Sequence, residues 1–306
     1  MSAVTLLDGG MGQELIKRSG KPAGPLWSTQ VMIDHPGLVG AVHGDYADAG
    51  ATVATTNTYA IHRDRLRGGS SNHYADGNVD LPNREAEFDA LLSAALKEAS
   101  AVRDRSKVAG AIGPLGASYR PDLHPEESVA IPLYAELSEK LATGSDILLF
   151  ETIASLSAAR ACLIAGRKTG CAVWLALTVD DEDGGKLRSG EPVAEAARIA
   201  SDADAVLANC SAPEAMPAAL DALVAAGVPT GAYGNAFAGI TKEFMAGGST
   251  AASLSARRDM GPTPYADHAM RWLDHGATIL GGCCETGPAH ITEIAKRLKS
   301  AGHTIV

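Results

Sequence analysis

The stretch TILGGCCETGPAHI, Thr278 to Ile291, carries the pattern on which the fold rests. Its first part, Thr278–Cys283, is an apolar run that reads as a strand. Two glycines turn the chain, and Pro288 then opens a helix that runs to Ala301. A strand followed at once by a helix is one β-then-α unit, and the chain repeats that unit along its length. Further strand-like runs are Val4–Gly10, Thr52–Tyr59, Lys107–Gly113, Asp146–Thr152, Cys171–Val179, Ala205–Cys210 and Pro229–Asn235. Helix-like segments lie between them at Pro36–Ala49, Asn83–Arg105, Ile131–Thr143, Leu156–Lys168, Pro192–Ser201, Pro213–Ala226 and Tyr265–His275. Several open on proline and stop at glycine, as from Pro36 to Gly50 and from Pro213 to Gly227.

Eight such units in 306 residues predict an α/β fold, a (β/α)8 TIM barrel, as a single domain over residues 1–306. The rival, a doubly wound open sheet, lacks support. After the first strand the chain reads DGGMGQEL, without the G-x-G-x-x-G spacing of a dinucleotide site. Residues 63–82 and 238–262, rich in Gly, Ser, Asp and Arg, read as insertions in the loops after strands two and seven.

Bulk properties narrow the function. The net charge is −10 and no Lys/Arg cluster stands out, which argues against nucleic acid and anionic membranes as partners. MSAVTLLDGGMGQEL does not read as a signal peptide, and no run reaches the length of a membrane span. The expectation is a cytoplasmic protein whose five cysteines are thiols or ligands rather than disulfides.

In barrels of this kind chemistry gathers where strands end. The ends read here are Asp8-Gly9-Gly10, Thr56 to Tyr59, Glu151-Thr152, Asn209-Cys210, Tyr233-Gly234-Asn235 and Gly281 to Cys284. Cys210, Cys283 and Cys284 thus fall at one end of the barrel. Cys162 lies in a helix and Cys171 begins a strand at the opposite face, so both read as structural. Three convergent thiolates suit Zn2+, and three protein ligands leave the open fourth position of a catalytic site. The alternatives are buried thiols or a redox pair, though the C-x-x-C spacing is absent. Asp8 and Glu151 emerge from apolar runs, where a charge is costly unless paired, and an amino-group ligand would pair them. Either one alone serves equally well as a helix cap. The histidines, among them His35, His43, His268, His275, His290 and His303, fall in helices or loops and read as solvated.

With these residues in place, the chain resembles the zinc-dependent homocysteine S-methyltransferases. The resemblance runs through LLDGGMGQEL, PLWSTQVMIDHPGLVGAVHGDYADAGATVATTNTYA, IGPLGASY, LLFETIASLSAAR, LRSGEP, LANCSAP and TILGGCCETGPAHI, in that order. It implies a (β/α)8 barrel with one Zn2+ held by Cys210, Cys283 and Cys284. It implies transfer of a methyl group from a small onium donor to the thiol of homocysteine, giving methionine. S-Methylmethionine is the leading donor; a betaine-type quaternary ammonium or S-adenosylmethionine is the alternative. By the same resemblance Asp8, Gly9, Gly10 and Glu151 hold homocysteine, and Trp27 and Tyr59 stand near the donor. Thr56, Asn209, Tyr233 and Asn235 complete the candidate substrate-binding set. The loop YGNAFAGITKEF departs from the family pattern after Tyr233-Gly234-Asn235, so the donor pocket is where the resemblance carries least. A reading of another class is a zinc-stabilised barrel without catalysis, and a third is a thiol redox enzyme using Cys283 and Cys284.

Overall fold

The computed structural model describes residues 2–22, 24, 26–67, 83–240 and 254–306. Of the two expected insertions, residues 68–82 and 241–253 lie outside the described residues. Among the described residues, nine strands form one all-parallel sheet: β1 Ala3–Leu6, β2 Val53–Thr55, β3 Lys107–Ile112, β4 Ile147–Ile153, β5 Ala172–Leu177, β6 Ala205–Asn209, β7 Thr230–Tyr233, β8 Ala277–Leu280 and β9 Thr304–Ile305. Their order is β2-β3-β4-β5-β6-β7-β8-β1-β9. The sheet is curled and compatible with a TIM-like barrel. Its two ends approach each other: Leu7 bridges Val53 in parallel, Thr52 N–H donates to the Leu6 carbonyl at 2.7 Å, and Asp8 N–H to that of Val53 at 3.1 Å.

The strands form where they do because most are buried on both faces, so the sequence reads as continuous apolar runs. Alternate residues point to opposite sides. One set, including Leu7, Val53, Ala109, Leu149, Leu207 and Ile279, fills the inside of the curl as its own apolar cluster. The other set, including Leu148, Phe150, Leu175 and Val206, packs against the helices in a separate and larger cluster. A leucine buried in either layer contributes about 1.5–3 kcal/mol.

All eight expected strands are present, but most stop earlier than the apolar runs. The first ends at Leu6 rather than Gly10, and the second at Thr55 rather than Tyr59. The hydrogen-bonded ladder ends where the chain turns to build the site. The eight expected helices are also found, with shifted ends; the third, for instance, begins at Glu127 and accommodates Pro132. The helices Met11–Ser19 and Trp27–Asp34 and the short β9 were not expected. His43 is also a correction. It is fully buried in the helix Leu38–Asp48, and burial pushes its imidazole down to about 4, so it is neutral packing rather than a solvated side chain. Among the described residues, no helix is long and apolar enough to cross a membrane.

Candidate active site

Cys210 follows β6 directly, and its backbone turns left-handed there, with φ of +48°. Its N–H donates to the Tyr233 carbonyl at 3.1 Å, which pins the turn to β7. Cys283 and Cys284 follow β8 after two glycines. Cys283 N–H donates to the Gly234 carbonyl at 2.9 Å, and the Cys284 carbonyl accepts from Ala236 N–H at 3.0 Å. The Tyr265 hydroxyl donates to the carbonyls of Gly234 and Gly281 at 2.8 and 3.0 Å, tying the two loops to the helix Pro262–Asp274.

These loops bring three sulfurs together. Sγ of Cys210 lies 2.8 Å from that of Cys283 and 3.7 Å from that of Cys284, and the latter two are 3.9 Å apart. Cys162 and Cys171 lie elsewhere, as expected. Hydrogen bonds from the other two thiols, and from the Tyr119 hydroxyl at 2.9 Å, hold the Cys210 thiol well below its usual range. Their contacts with Cys210 push Cys283 and Cys284 well up, with burial adding to the rise. One thiolate is stable here, while a second beside it is repelled unless a cation joins them. Among the described residues, this is the one group of three or more potential ligands close enough to hold a metal ion.

Two carboxyls share the cavity with the sulfurs. Asp8, just past β1, accepts from Thr55 N–H and Thr55 Oγ1, both at 2.7 Å. Burial nevertheless raises it to about 7, against the pull of those bonds. Glu151, within β4, accepts from the Tyr233 hydroxyl at 3.2 Å. Burial raises it to about 8, and the negative charges of Cys210 and Asp8 add to this. Glu151 keeps some surface toward the cavity although protein surrounds it. Two carboxyls held near neutrality beside a cavity are a ready site for an ammonium, which would stabilise both as anions.

Backbone strain concentrates at the same place. Among the described residues, the non-glycine residues with positive φ are Trp27, Tyr119, Thr152, Cys210 and Glu285. Four of them line the cavity and Glu285 follows Cys284. Each conformation costs about 1–3 kcal/mol, which the surrounding fold must offset. At Gly10 the demand is for space rather than for positive φ, since a Cβ there would lie 2.5 Å from the Cys283 carbonyl oxygen. Gly10→Ala should therefore displace Cys283 and lower kcat/KM by about 10²-fold, the usual penalty for misplacing a reactive group by an ångström. Circular dichroism should show an intact fold; a variant with unchanged kcat/KM would show that the approach does not matter.

Trp27, Thr56, Tyr59 and Tyr233 also stand on the cavity wall. The rings of Trp27 and Tyr59 meet edge to face, with centroids 6.1 Å apart. The Thr56 hydroxyl is already engaged, accepting from Ala111 N–H at 3.0 Å and lying 2.6 Å from the Thr58 hydroxyl. Asn209 and Asn235 lie behind the wall. The Asn209 amide holds Thr152, accepting from its N–H at 2.9 Å and donating to its Oγ1 at 3.2 Å. Asn235 accepts from Phe237 N–H at 3.1 Å. Neither is part of the cavity lining. Sequence reasoning missed Tyr119, whose hydroxyl reaches Cys210, together with Gln13, Ser118 and Phe237 on the wall. Only its place in IGPLGASY, in the loop that follows the third strand, pointed toward Tyr119.

This geometry has counterparts. The chain is 28% identical over 319 residues to a homocysteine S-methyltransferase of Escherichia coli K12, covering 96% of this chain and 95% of that one. It is 24% identical to a selenocysteine Se-methyltransferase of Brassica oleracea var. italica, covering 96% and 89%. The crystal structure of the homocysteine methyltransferase MmuM from Escherichia coli, in its metallated form, superposes with a TM-score of 0.74 at 27% identity, covering 96% of each chain. A family model described as homocysteine S-methyltransferase matches residues 5–298. A match of that extent, joined to three sulfurs and two buried carboxyls in one cavity, shows that this chain belongs to the homocysteine S-methyltransferase family.

Proposed function

We propose that the protein is a zinc-dependent methyltransferase that moves a methyl group from a small sulfonium, S-methylmethionine foremost, to the thiol of homocysteine. The observation that carries this reading is the shared cavity of Cys210, Cys283, Cys284, Asp8 and Glu151. The donor set fits zinc. Tetrahedral Zn–S bonds of ~2.3 Å place sulfurs about 3.8 Å apart, and two of the three separations, 3.7 and 3.9 Å, match. The third, 2.8 Å, is shorter than that spacing yet longer than a disulfide of about 2.05 Å, so these are separate thiols. Among the described residues the cluster has three members, which leaves one position for a substrate.

Zn2+ held there would supply a Lewis acid that lets a substrate thiol lose its proton near neutral pH. The rest falls to the chain's own residues. Asp8 and Glu151 bind the ammonium of homocysteine and fix its orientation. The acceptor sulfur then attacks the methyl carbon in line with the bond to the donor sulfur. A new S–C bond forms, the donor C–S+ bond breaks, and its electron pair stays on the donor sulfur, which leaves as a neutral thioether. Trp27 and Tyr59 offer π-surface to the onium centre. We also read the sheet as a closed (β/α)8 barrel in one domain, supported by the Leu7–Val53 bridge. A cytoplasmic location would suit its five free cysteines.

Protein purified without oxygen should carry about one zinc per chain, as a single three-cysteine site implies, and should form methionine from homocysteine and S-methylmethionine. A panel with S-adenosylmethionine, glycine betaine and a dimethylsulfonium compound ranks the donors. Methionine from glycine betaine alone would move the donor to the quaternary ammonium class. Zinc-replete protein that forms no methionine from any donor would favour a zinc-stabilised barrel without catalysis.

A further inference from the structure

The Tyr119 hydroxyl lies 2.9 Å from Sγ of Cys210. Cysteine holds zinc as a thiolate, which has no proton to give, and a phenol keeps its proton at neutral pH. Tyr119 is therefore the donor in this contact. The chain strains to make it. Tyr119 is buried, and its φ of +62° is one a bulky residue rarely adopts. Such strain persists only where the surrounding structure enforces it.

Residues behind Tyr119 enforce it. The guanidinium of Arg188 lies over the Tyr119 ring, its carbon 5.4 Å from the centroid. Arg188 is held by Asp181, whose Oδ1 accepts from Nη2 at 2.7 Å. The same oxygen accepts from Ala212 N–H at 2.7 Å, two residues beyond Cys210. Ser211, next to Cys210, accepts from Val179 N–H at 2.9 Å, and Val179 bridges Leu187, the residue before Arg188. Loops that follow β3, β5 and β6 are thus locked around one sulfur. Arg188 is not part of the cavity lining, and its side chain is only 12% exposed. Its Nε is shielded from solvent and makes no hydrogen bond among the described residues. A buried guanidinium with an unanswered N–H is costly, and packing against a ring does not require one.

We propose that Tyr119 and Arg188 tune the metal centre from outside its ligand set. Tyr119 draws electron density from the Cys210 sulfur through its hydrogen bond. Arg188 fixes the ring and, by placing a cation over its π-face, strengthens the hydroxyl as a donor. Both are positioning residues. The need is electrostatic. Three thiolates around Zn2+ carry one surplus negative charge, and the acceptor's thiolate brings a second into a cavity that also holds Asp8 and Glu151. Unrelieved, that charge loosens the metal and the fourth sulfur together. A hydrogen bond donated to one ligand relieves it, and partners of this kind contribute about 10–100-fold to metal affinity. The inference rests on the three-thiolate zinc site of the reading above, not on the identity of the methyl donor.

Two measurements without substrate test this in wild type, Tyr119→Phe, Arg188→Met and Arg188→Lys. One is zinc affinity, by competition with a chromophoric chelator. The other is the sulfur-to-metal charge-transfer band of the cobalt-substituted protein. A hydrogen bond to a thiolate lowers the energy of the sulfur lone pair, so its loss moves that band to longer wavelength. Tyr119→Phe, which removes one oxygen, should bind zinc about 10–100-fold more weakly and show the shift. Arg188→Met should weaken zinc by about three- to tenfold with a smaller shift in the same direction. Arg188→Lys, which keeps a cation, should stay nearer wild type. Tyr119→Phe with the affinity and band of wild type would overturn the inference. So would a Tyr119→Phe variant that melts earlier with the band unmoved, because the hydroxyl would then only brace the loop. Equal weakening of zinc by Arg188→Met and Arg188→Lys would overturn the part given to the cation. Wild type that takes up neither metal ion would remove the three-thiolate site and the inference with it. Metal binding without methionine formation would sink the methyl-transfer reading alone.

Discussion

Cys210→Ala should lose its zinc and lower kcat/KM for methionine formation by more than ~10³-fold. Two effects multiply. A free thiol with pKa near 8.5 is only a few per cent ionised at pH 7, so losing its activation alone costs about 30-fold. Losing the group that fixes the acceptor sulfur costs at least another ~10²-fold through misplacement. Cys210 is the ligand to choose because its sulfur is the hub of the cluster. It lies within hydrogen-bond reach of both other thiols and of the Tyr119 hydroxyl, and these contacts hold it well below the usual thiol range. The fold should survive, since the substitution removes one buried atom and keeps Cβ in the left-handed turn. Cys162→Ala is the control. That thiol is buried in the helix Leu156–Gly166, away from the cavity lining, and burial pushes its pKa above the usual range. It should keep zinc and activity. Zinc by elemental analysis and methionine by chromatography decide the matter. Full zinc and more than a tenth of wild-type activity in Cys210→Ala would refute the three-thiolate site.

The cluster was legible because its chemistry sits at strand ends, and strand ends can be found. Parallel strands buried on both faces give uninterrupted apolar runs, so AVLA before Asn209 points to the C-terminal limit of β6, whereas β4 carries on past ILLF and Glu151 to Ile153. What the runs could not show is which polar residue turns inward once the ladder stops. Asn209 and Cys210 are neighbours, yet the cysteine faces the cavity and the asparagine is spent on Thr152. A φ of +48° at Cys210 helps set that difference, and nothing in the residue types announces it. Tyr119 was missed for the same reason: it reaches Cys210 from a left-handed position well past β3. His43 failed differently. Helical spacing puts it on the buried face with Val39, Val42 and Tyr46, but its polar residue type reads as solvated. The helix Met11–Ser19 was hidden because its opening glycines serve close approach to Thr286 and Cys283, and so look like loop.

Glu151→Gln should weaken homocysteine binding while making the protein more stable, and the opposite signs are the point. In the folded protein burial raises the carboxyl to about 8 from a reference value of 4.5. A raised folded-state pKa means that the unfolded chain releases this proton first. The stability linked to the group is therefore complete below pH 4.5 and is lost as pH rises toward 8. The full shift corresponds to an upper bound of roughly 5 kcal/mol. Water entering the cavity and local relaxation reduce this, so about 1–2 kcal/mol is the expectation. Glutamine keeps the shape and can accept from the Tyr233 hydroxyl, but it never ionises. Without substrate, the variant should melt a few degrees above wild type at pH 8, and the difference should vanish near pH 4.5. The site loses in binding what the fold gains. An ammonium facing an amide instead of a carboxylate forfeits a charge-assisted hydrogen bond, about 1.5–3 kcal/mol, so KM for homocysteine should rise roughly 10–100-fold. Zinc content should not change, since the carboxyl is not a member of the sulfur cluster. Thermal melts at the two pH values, with KM measured at pH 8, test both halves. An unchanged KM would remove Glu151 from the acceptor site, and a variant less stable than wild type at pH 8 would show that Glu151 braces the fold rather than waiting for a cation.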